Sequence, residues 1–281
     1  MRWRVCADAE EFLRIRGDVL RSNESLHCLA LAACARFESR PGEPPSHTFL
    51  VLEGDPSTWS YAIVGSDSQT AVLSRMDEEP ARALAPRLDA MSLELKIAEG
   101  PEHPALAFSR LWSEVRGVPF ERTMDTGLYE VTRVVLPDAD GGCMVPAAQE
   151  NETLLRDFLA GFHHDCFPDD PFPVEKIHKR VKRLIDERKG ALWRTRDGEL
   201  VAMAAVVRES LNAASISLVY TPREHRRRGY AARLVGELSQ AQLRSGKAAC
   251  NLHADMKNAT AHGVYTRLGY VKIAQSIRVA L

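Results

Sequence analysis

The chain has no C-x-x-C pair, no apolar run long enough to cross a bilayer and almost no net charge, and each absence narrows its function. The six cysteines (Cys6, Cys28, Cys34, Cys143, Cys166 and Cys250) are scattered through 281 residues. That spacing favours reduced, mostly buried thiols over a disulfide framework or a zinc site, and singles out no catalytic cysteine. Lys and Arg number 37 against 38 Asp and Glu, a formal net charge of −1. A global attraction to nucleic acid or to a membrane therefore has no support, and any anion site has to be local. The most apolar early stretch, residues 26–35, is too short for a membrane span and contains His27. Acidic residues arrive by position 8 and no apolar h-region follows, which predicts no secretory signal and a cytoplasmic protein.

What is present is an ordinary globular composition, 45% hydrophobic and 27% charged, on a length that suits two domains. The polar, glycine-rich stretch from Pro137 to Gly142 marks a boundary at about 137–146, giving domains 1–137 and 146–281. In the first, periodicity predicts helices over 9–20, 25–36, 78–97 and 105–115. A turn at 41–45 leads into strands over 47–53, 60–64 and 70–73, and a strand over 128–136 closes the half. In the second, helices are expected over 150–166, 174–187, 229–244 and 258–268. Strands are expected over 191–195, 200–207, 214–220 and 248–254, with a last one from Tyr270. The order is α/β (α+β), and the two halves agree in element order without agreeing visibly in residues.

The chemistry concentrates where the strand ending at Leu218, Val219 and Tyr220 passes through a loop into an amphipathic helix. Ala231, Leu234, Val235 and Leu238 form the apolar face of that helix, and Arg226-x-x-Gly229-x-Ala231 precedes it. A glycine and a small residue let backbone amides approach a ligand closely. The open amides and positive dipole end of a helix start then favour a phosphate. Five arginines (Arg223, Arg226, Arg227, Arg228 and Arg233) crowd these eleven residues, a strong local signal in a neutral chain. A solvated basic helix start, or an arginine-driven nucleic-acid contact, is the plainer alternative. The second would need aromatic platforms or a wider basic surface.

This segment resembles the pyrophosphate loop of the GNAT superfamily of N-acetyltransferases. About thirty residues on, Asn258 to Tyr265 resembles the superfamily's Asn-to-Tyr helix, and Leu268-Gly269-Tyr270 the sequence that ends it. From about Leu128 onward the chain is similar to a bacterial-type tandem group with a degenerate first half and a catalytic second half. It departs from the usual pattern at Ala259, where relatives carry Pro, and at Ala261-His262, where they carry Ser-Asn. The resemblance implies a GNAT-like mixed, mostly antiparallel sheet flanked by helices in each half, and acetyl-coenzyme A as cosubstrate. It implies a diphosphate bound by the amides of Arg228, Gly229, Tyr230 and Ala231, with one or more of the arginines reaching the 3′-phosphate, and sequence does not say which. The pantetheine arm would lie along Leu218, Val219 and Tyr220 where that strand splays from its neighbour, with Asn258 close by. The amide of Val219 or Tyr220 would then polarise the thioester carbonyl.

Tyr265 shares a stripe with Ala261, Val264 and Leu268, so a core tyrosine is its plain reading. The resemblance makes it the general acid for the departing thiolate. Asn258 is equally suited to cap its helix. Glu209, His253 and Asp255 lie near the right strands for a general base, and sequence does not choose among them. His163-His164-Asp165 is no metal cluster, because adjacent helical residues do not converge. No R-x-x-G-x-G/A loop follows a strand in residues 1–136, so the first half is expected to bind no coenzyme A and to wall the acceptor pocket. The expected reaction is acetylation of a small-molecule or peptidyl amine without metal, nucleic acid or membrane, by a monomer or homodimer. A non-catalytic acyl-coenzyme A sensor and a transferase of longer acyl chains are the alternatives.

Overall fold

The computed structural model describes residues 2–38, 45–54, 59–138, 141–167 and 173–281. The turn expected at 41–45 lies, except for Pro45, outside the described residues, as do Ala139 and Asp140 of the expected linker. In chain order, β1 (Trp3–Val5), α1 (Ala9–Ser22), α2 (Cys28–Ala35), β2 (His47–Leu52), β3 (Tyr61–Gly65) and β4 (Thr70–Leu73) come first. They are followed by α3 (Glu78–Asp89), β5 (Ile97–Gly100), α4 (Glu102–Arg116), β6 (Glu121–Val131) and β7 (Cys143–Pro146). Next come α5 (Glu152–Cys166), α6 (Val174–Asp186), β8 (Gly190–Arg194), β9 (Leu200–Glu209) and β10 (Ala213–Tyr220). The chain finishes with α7 (Tyr230–Arg244), β11 (Ala249–Asp255), α8 (Ala259–Arg267) and β12 (Val271–Ala280). No described helix is long and apolar enough to cross a membrane.

The elements form two compact units, both with a mixed, mostly antiparallel sheet. Unit 1 comprises Met1–Leu128, His253–Asn258 and Lys272–Leu281, and unit 2 comprises Tyr129–Leu252 and Ala259–Val271. These are not the contiguous segments 1–137 and 146–281 expected from the sequence. The C-terminal strand is the reason: β12 pairs antiparallel with β5, Ile277 against Gly100 and Val279 against Ala98. Ile277 and Val279 are thereby buried in the unit 1 core, which no reading of local periodicity could assign.

In unit 1 the strand order is β1-β2-β3-β4-β5-β12-β6. Adjacent residues of β2 point to opposite faces, and both faces are covered. Phe49 and Val51 join Phe12, Leu20 and Tyr61 under α1 and α2. Leu50 joins Leu84, Leu88, Phe108 and Trp112 under α3 and α4. Asp8 starts α1 as its N-cap, its Oδ1 accepting from the Glu11 amide at 2.8 Å. The helix expected over 78–97 stops at Asp89, and Ser92 turns the chain in the left-handed region at φ 54°. In β5 burial has the two-residue period of a strand, with Ala98 and Gly100 buried and Ile97 and Glu99 only partly so. The strand expected over 128–136 is instead Glu121–Val131, whose first half is polar and exposed. The short β1 and β7 gave no periodic signal.

Unit 2 has the order β7-β8-β9-β10-β11. Leu155, Phe158 and Leu159 of α5 and Val181 and Leu184 of α6 pack on Leu192, Met203 and Leu218. Leu234, Val235 and Leu238 form the buried face of α7, as the sequence predicts. Against β9, Ser217 pairs with Ala205 and Tyr220 with Met203, so β10 carries one extra residue there, a β-bulge. Leu218 sits in that bulge at φ 56° with its side chain 1% exposed. A leucine in the left-handed region is strained, and its burial in the core holds it there.

Glycine ordinarily destabilises a strand relative to alanine by about 0.5–1 kcal/mol. At position 218 the order is expected to reverse, with Leu218→Gly no less stable than Leu218→Ala although both lose the buried leucine. Urea denaturation of the two variants checks this, and the ordinary order would contradict the strain.

Candidate functional site

The bulged strand β10 lies next to the one strand it parallels in unit 2. Its pairing with β11 covers Ala213, Ala214 and Ser215 against Ala249, Cys250 and Asn251. Ser215 Oγ donates to Asn251 Oδ1 at 2.7 Å with both residues buried, which locks the end of the paired portion. Beyond it β10 continues to Tyr220 with β9 on its other side. A bulge turns and twists a strand, so the segment from Ile216 to Tyr220 is set up to leave its parallel neighbour. Ligands of mixed α/β sheets collect at such carboxyl ends of parallel strands.

After Tyr220 come Thr221 and Pro222, one 3-10 turn at Arg223–His225, then Arg226, Arg227, Arg228 and Gly229, and then α7. Two residues of this corner are left-handed, Arg227 at φ 64° and Gly229 at φ 81°. Gly229 is the N-cap, where glycine adopts this geometry without strain. A Cβ on it would also stand 2.7 Å from Arg233 Nη1. The first amide of α7 to bond back is that of Arg233, to Gly229 O at 3.1 Å. By helix geometry the amides of Tyr230, Ala231 and Ala232 stay open, with the positive end of the helix dipole behind them.

Most of the arginines fasten this corner. Arg226 donates through Nε to Thr221 O at 2.8 Å, lies 5.7 Å over the Tyr220 ring and pairs with the Asp165 carboxylate. Arg223 reaches the other oxygen of Asp165 at 3.1 Å. Together Arg226 and then Arg223 hold the Asp165 carboxyl below the usual carboxylate range. Arg233 folds back over the corner, Nη1 donating to Arg228 O at 2.9 Å and Nε to Asp138 O at 3.0 Å. His225 Nε2 lies 3.4 Å from Glu199 at the β8–β9 turn. Arg227 and Arg228 are exposed, and among the described residues no acceptor lies against either guanidinium. Asp165 is a residue that sequence reasoning set aside: its role is to anchor this loop.

The Tyr220 side chain also faces inward. Its ring is 5.9 Å from that of Phe158, and a Cβ at Gly161 would stand 2.3 Å from its hydroxyl. Gly161 on α5 therefore makes the space Tyr220 occupies, which no sequence motif signalled. Tyr265 on α8 is 8% exposed with its ring 6.0 Å from Tyr270. Burial pushes its phenol up to about 12, with Cys166 adding to the rise, so the group is protonated at neutral pH. On the same helix His262 Nδ1 lies 2.6 Å from Tyr129 Oη, filling the position where relatives are expected to carry asparagine.

The structure gathers Leu218, Val219, Tyr220, Arg226, Arg227, Arg228, Gly229, Tyr230 and Ala231 into one corner of unit 2, the unit that also contains Tyr265. Asn258 falls in a unit 1 segment, exposed, its amide donating to Asp255 O at 2.9 Å. Of the base candidates, Glu209 pairs with Lys189 at 3.2 Å and Asp255 accepts from the Lys257 amide at 2.9 Å. His253 lines a cavity in unit 1. Among the described residues no group of three His, Cys, Asp or Glu side chains is placed to hold a metal ion.

Residues 194–279, which contain the whole corner, match the model of the family described as FR47-like protein. No curated protein matches the sequence. Solved structures do match in shape. A Drosophila protein superposes with a TM-score of 0.65 at 14% identity, over 99% of this chain and 98% of its own. A GNAT-family acetyltransferase from Colwellia psychrerythraea does so at 0.59 and 12% identity, over 100% and 99%. A tandem GNAT protein from the clavulanic acid biosynthesis pathway matches at 0.53 and 13% identity, over 100% and 98%. The chain has the GNAT fold, with two GNAT-like units in tandem.

Asp165→Asn is expected to lower stability at neutral pH by about 1 kcal/mol, the scale of a partly exposed, solvent-screened ion pair. The folded carboxyl is depressed, so its contribution is complete above the unfolded pKa of about 3.9 and is lost as pH falls through the folded value. Wild type and variant should converge in strong acid by denaturant unfolding, and a gap that persists there contradicts the pairing.

Proposed function

We propose that the protein is an N-acetyltransferase that moves the acetyl group of acetyl-coenzyme A to a primary amine on a small molecule or peptide. The observation that carries this reading is the corner between β10 and α7. Open amides, two left-handed residues and a helix N-terminus meet there, in a frame held rigid by Asp165 and Arg233. That arrangement fits a diphosphate. The amides of Arg228, Gly229, Tyr230 and Ala231 would hold its oxygens.

Arg226 is already bound to Asp165 and Thr221, so its part is to shape the loop. Arg227 and Arg228 are the guanidinium groups left for the 3′-phosphate. Pantetheine would run beside Leu218, Val219 and Tyr220. Acetyl-coenzyme A supplies an acyl thioester that the amine attacks directly. The amide of Val219 or Tyr220 would stabilise the charge that develops on the carbonyl oxygen. Tyr265 would give its proton to the departing thiolate. The proton that the nitrogen sheds on becoming an amide would pass to water, from which Tyr265 is reprotonated. Burial keeps the phenol protonated at neutral pH.

Unit 1 offers no comparable grip. Its own parallel pair, β4 with β5, leads into α3 through Ser74, Arg75, Met76 and Asp77, and the first turn carries Glu78 and Glu79. Carboxylates at a helix start occupy the place a phosphate would need and repel it. We infer that one acetyl-coenzyme A binds, in unit 2.

Thiol release from acetyl-coenzyme A against a panel of polyamines, amino acids, aminoglycosides and peptides tests the reading. Tyr265→Phe is expected to lower kcat by about 10²-fold, the lower range for a general acid, with coenzyme A affinity retained. Unchanged turnover would remove Tyr265 from the chemistry. Replacing both Arg227 and Arg228 with alanine should weaken coenzyme A binding at least about 10-fold, the scale of one lost charge-assisted contact. Undiminished calorimetric affinity would contradict the assignment.

A further inference from the structure

Unit 1 holds a half-open cavity of about 600 Å³ at the carboxyl ends of its parallel pair, β4 and β5. All of its lining residues belong to unit 1. It occupies the corner of strand, turn and helix that in unit 2 presents open amides, but its chemistry is inverted. Asp77, Glu78, Glu99 and Glu102 line it, with Arg75 the one lining guanidinium or ammonium among the described residues. Asp77 stands at the N-cap of α3 yet makes no capping bond with its side chain. Glu78 lies 4.0 Å from Arg82, and Glu102 meets Arg122 at 2.9 Å, a guanidinium shared with Asp125; with these partners included the cluster stays net negative.

A second observation is independent of the carboxylates. His27, also lining the cavity, is 3% exposed. Its Nδ1 lies 2.8 Å from Tyr61 Oη, and its Nε2 is buried with no hydrogen-bond partner among the described residues. Burial pushes this imidazole down to about 4, so it is neutral at pH 7. With Nδ1 engaged, Nε2 is left as one directional polar group, and buried polar groups are ordinarily paired. The Trp59 ring lies 5.0 Å from His27 and is 36% exposed, an aromatic face at the same cavity.

We propose that this cavity is a second ligand site, one that takes a small organic cation: an amine on an apolar or aromatic body. The carboxylates would take the ammonium group, Trp59 the body or the cation face, and His27 Nε2 one further polar atom of the ligand. An anion such as a nucleotide or coenzyme A is disfavoured by the same carboxylates. The inference does not rest on the transfer reading, because it concerns binding in unit 1 with no acyl donor present.

The test is calorimetric titration of the full-length protein, without coenzyme A, with tryptamine and spermidine, and with indole-3-acetate as the matched anion. Tryptamine is expected to bind at least about 10-fold more tightly than indole-3-acetate, the discrimination of one charge-assisted hydrogen bond. The double variant Asp77→Asn, Glu102→Gln should lose that preference while binding coenzyme A as the wild type does. Trp59→Ala, with folding checked by its coenzyme A titration, should weaken tryptamine more than spermidine. Equal binding of amine and acid, binding that survives the double variant, or no amine binding below millimolar concentration would each overturn the proposal. Failure here leaves the coenzyme A titration of unit 2 untouched, so the two readings fall separately.

Discussion

Unit 2 is organised around the point where two parallel strands stop pairing. β10 and β11 hold together from Ala213 to Ser215, and the buried Ser215–Asn251 hydrogen bond closes that portion. Three residues later Leu218 adopts a left-handed conformation that a leucine takes only under constraint. Its side chain supplies the constraint by filling the core beneath α5 and α6. Strain in one residue and burial of its side chain are thus a single device, which turns the strand.

The loop that follows is positioned from outside. Asp165 at the end of α5 draws in Arg223 and Arg226, Glu199 meets His225, and Arg233 reaches back from α7 to the carbonyls of Arg228 and Asp138. Three of the five arginines that marked the segment are spent on this frame. Their charge still adds to the local field, but their donors are engaged. The guanidinium groups of Arg227 and Arg228 are exposed and take no part in this frame; these two and the backbone amides are the groups proposed to meet the polyanion. The two units use one corner in opposite ways, since in unit 1 the helix start is filled with carboxylates and the adjoining cavity favours positive charge.

The sequence made the α/β order legible, together with most elements of the second half and the Arg226–Ala231 corner, because amphipathic periodicity and glycine placement are local properties. It hid what depends on distant partners. Ile277 and Val279 read as a final strand, but their burial beside β5 could only be seen in three dimensions. Strand β5 was absorbed into a helix because Glu78 to Asp89 has strong helical patterning and nothing but the turn at Ser92 stops it. Asp165 was visible as an acid at the end of a helix, and Gly161 as a helical glycine. Their roles appear once α5 is laid against Tyr220 and Arg226. Leu218 carried no warning at all, since left-handed leucine has no sequence signature.

Hydrogen exchange of the full-length protein with and without coenzyme A tests the central claim most directly. Amides whose hydrogen bonds face solvent exchange freely until a ligand takes them. The account predicts that coenzyme A slows exchange at Arg228, Gly229, Tyr230 and Ala231, while the corresponding turn of unit 1, from Ser74 to Glu79, is unchanged. Protection at the unit 1 turn, or none at the unit 2 corner under saturating coenzyme A, would contradict it.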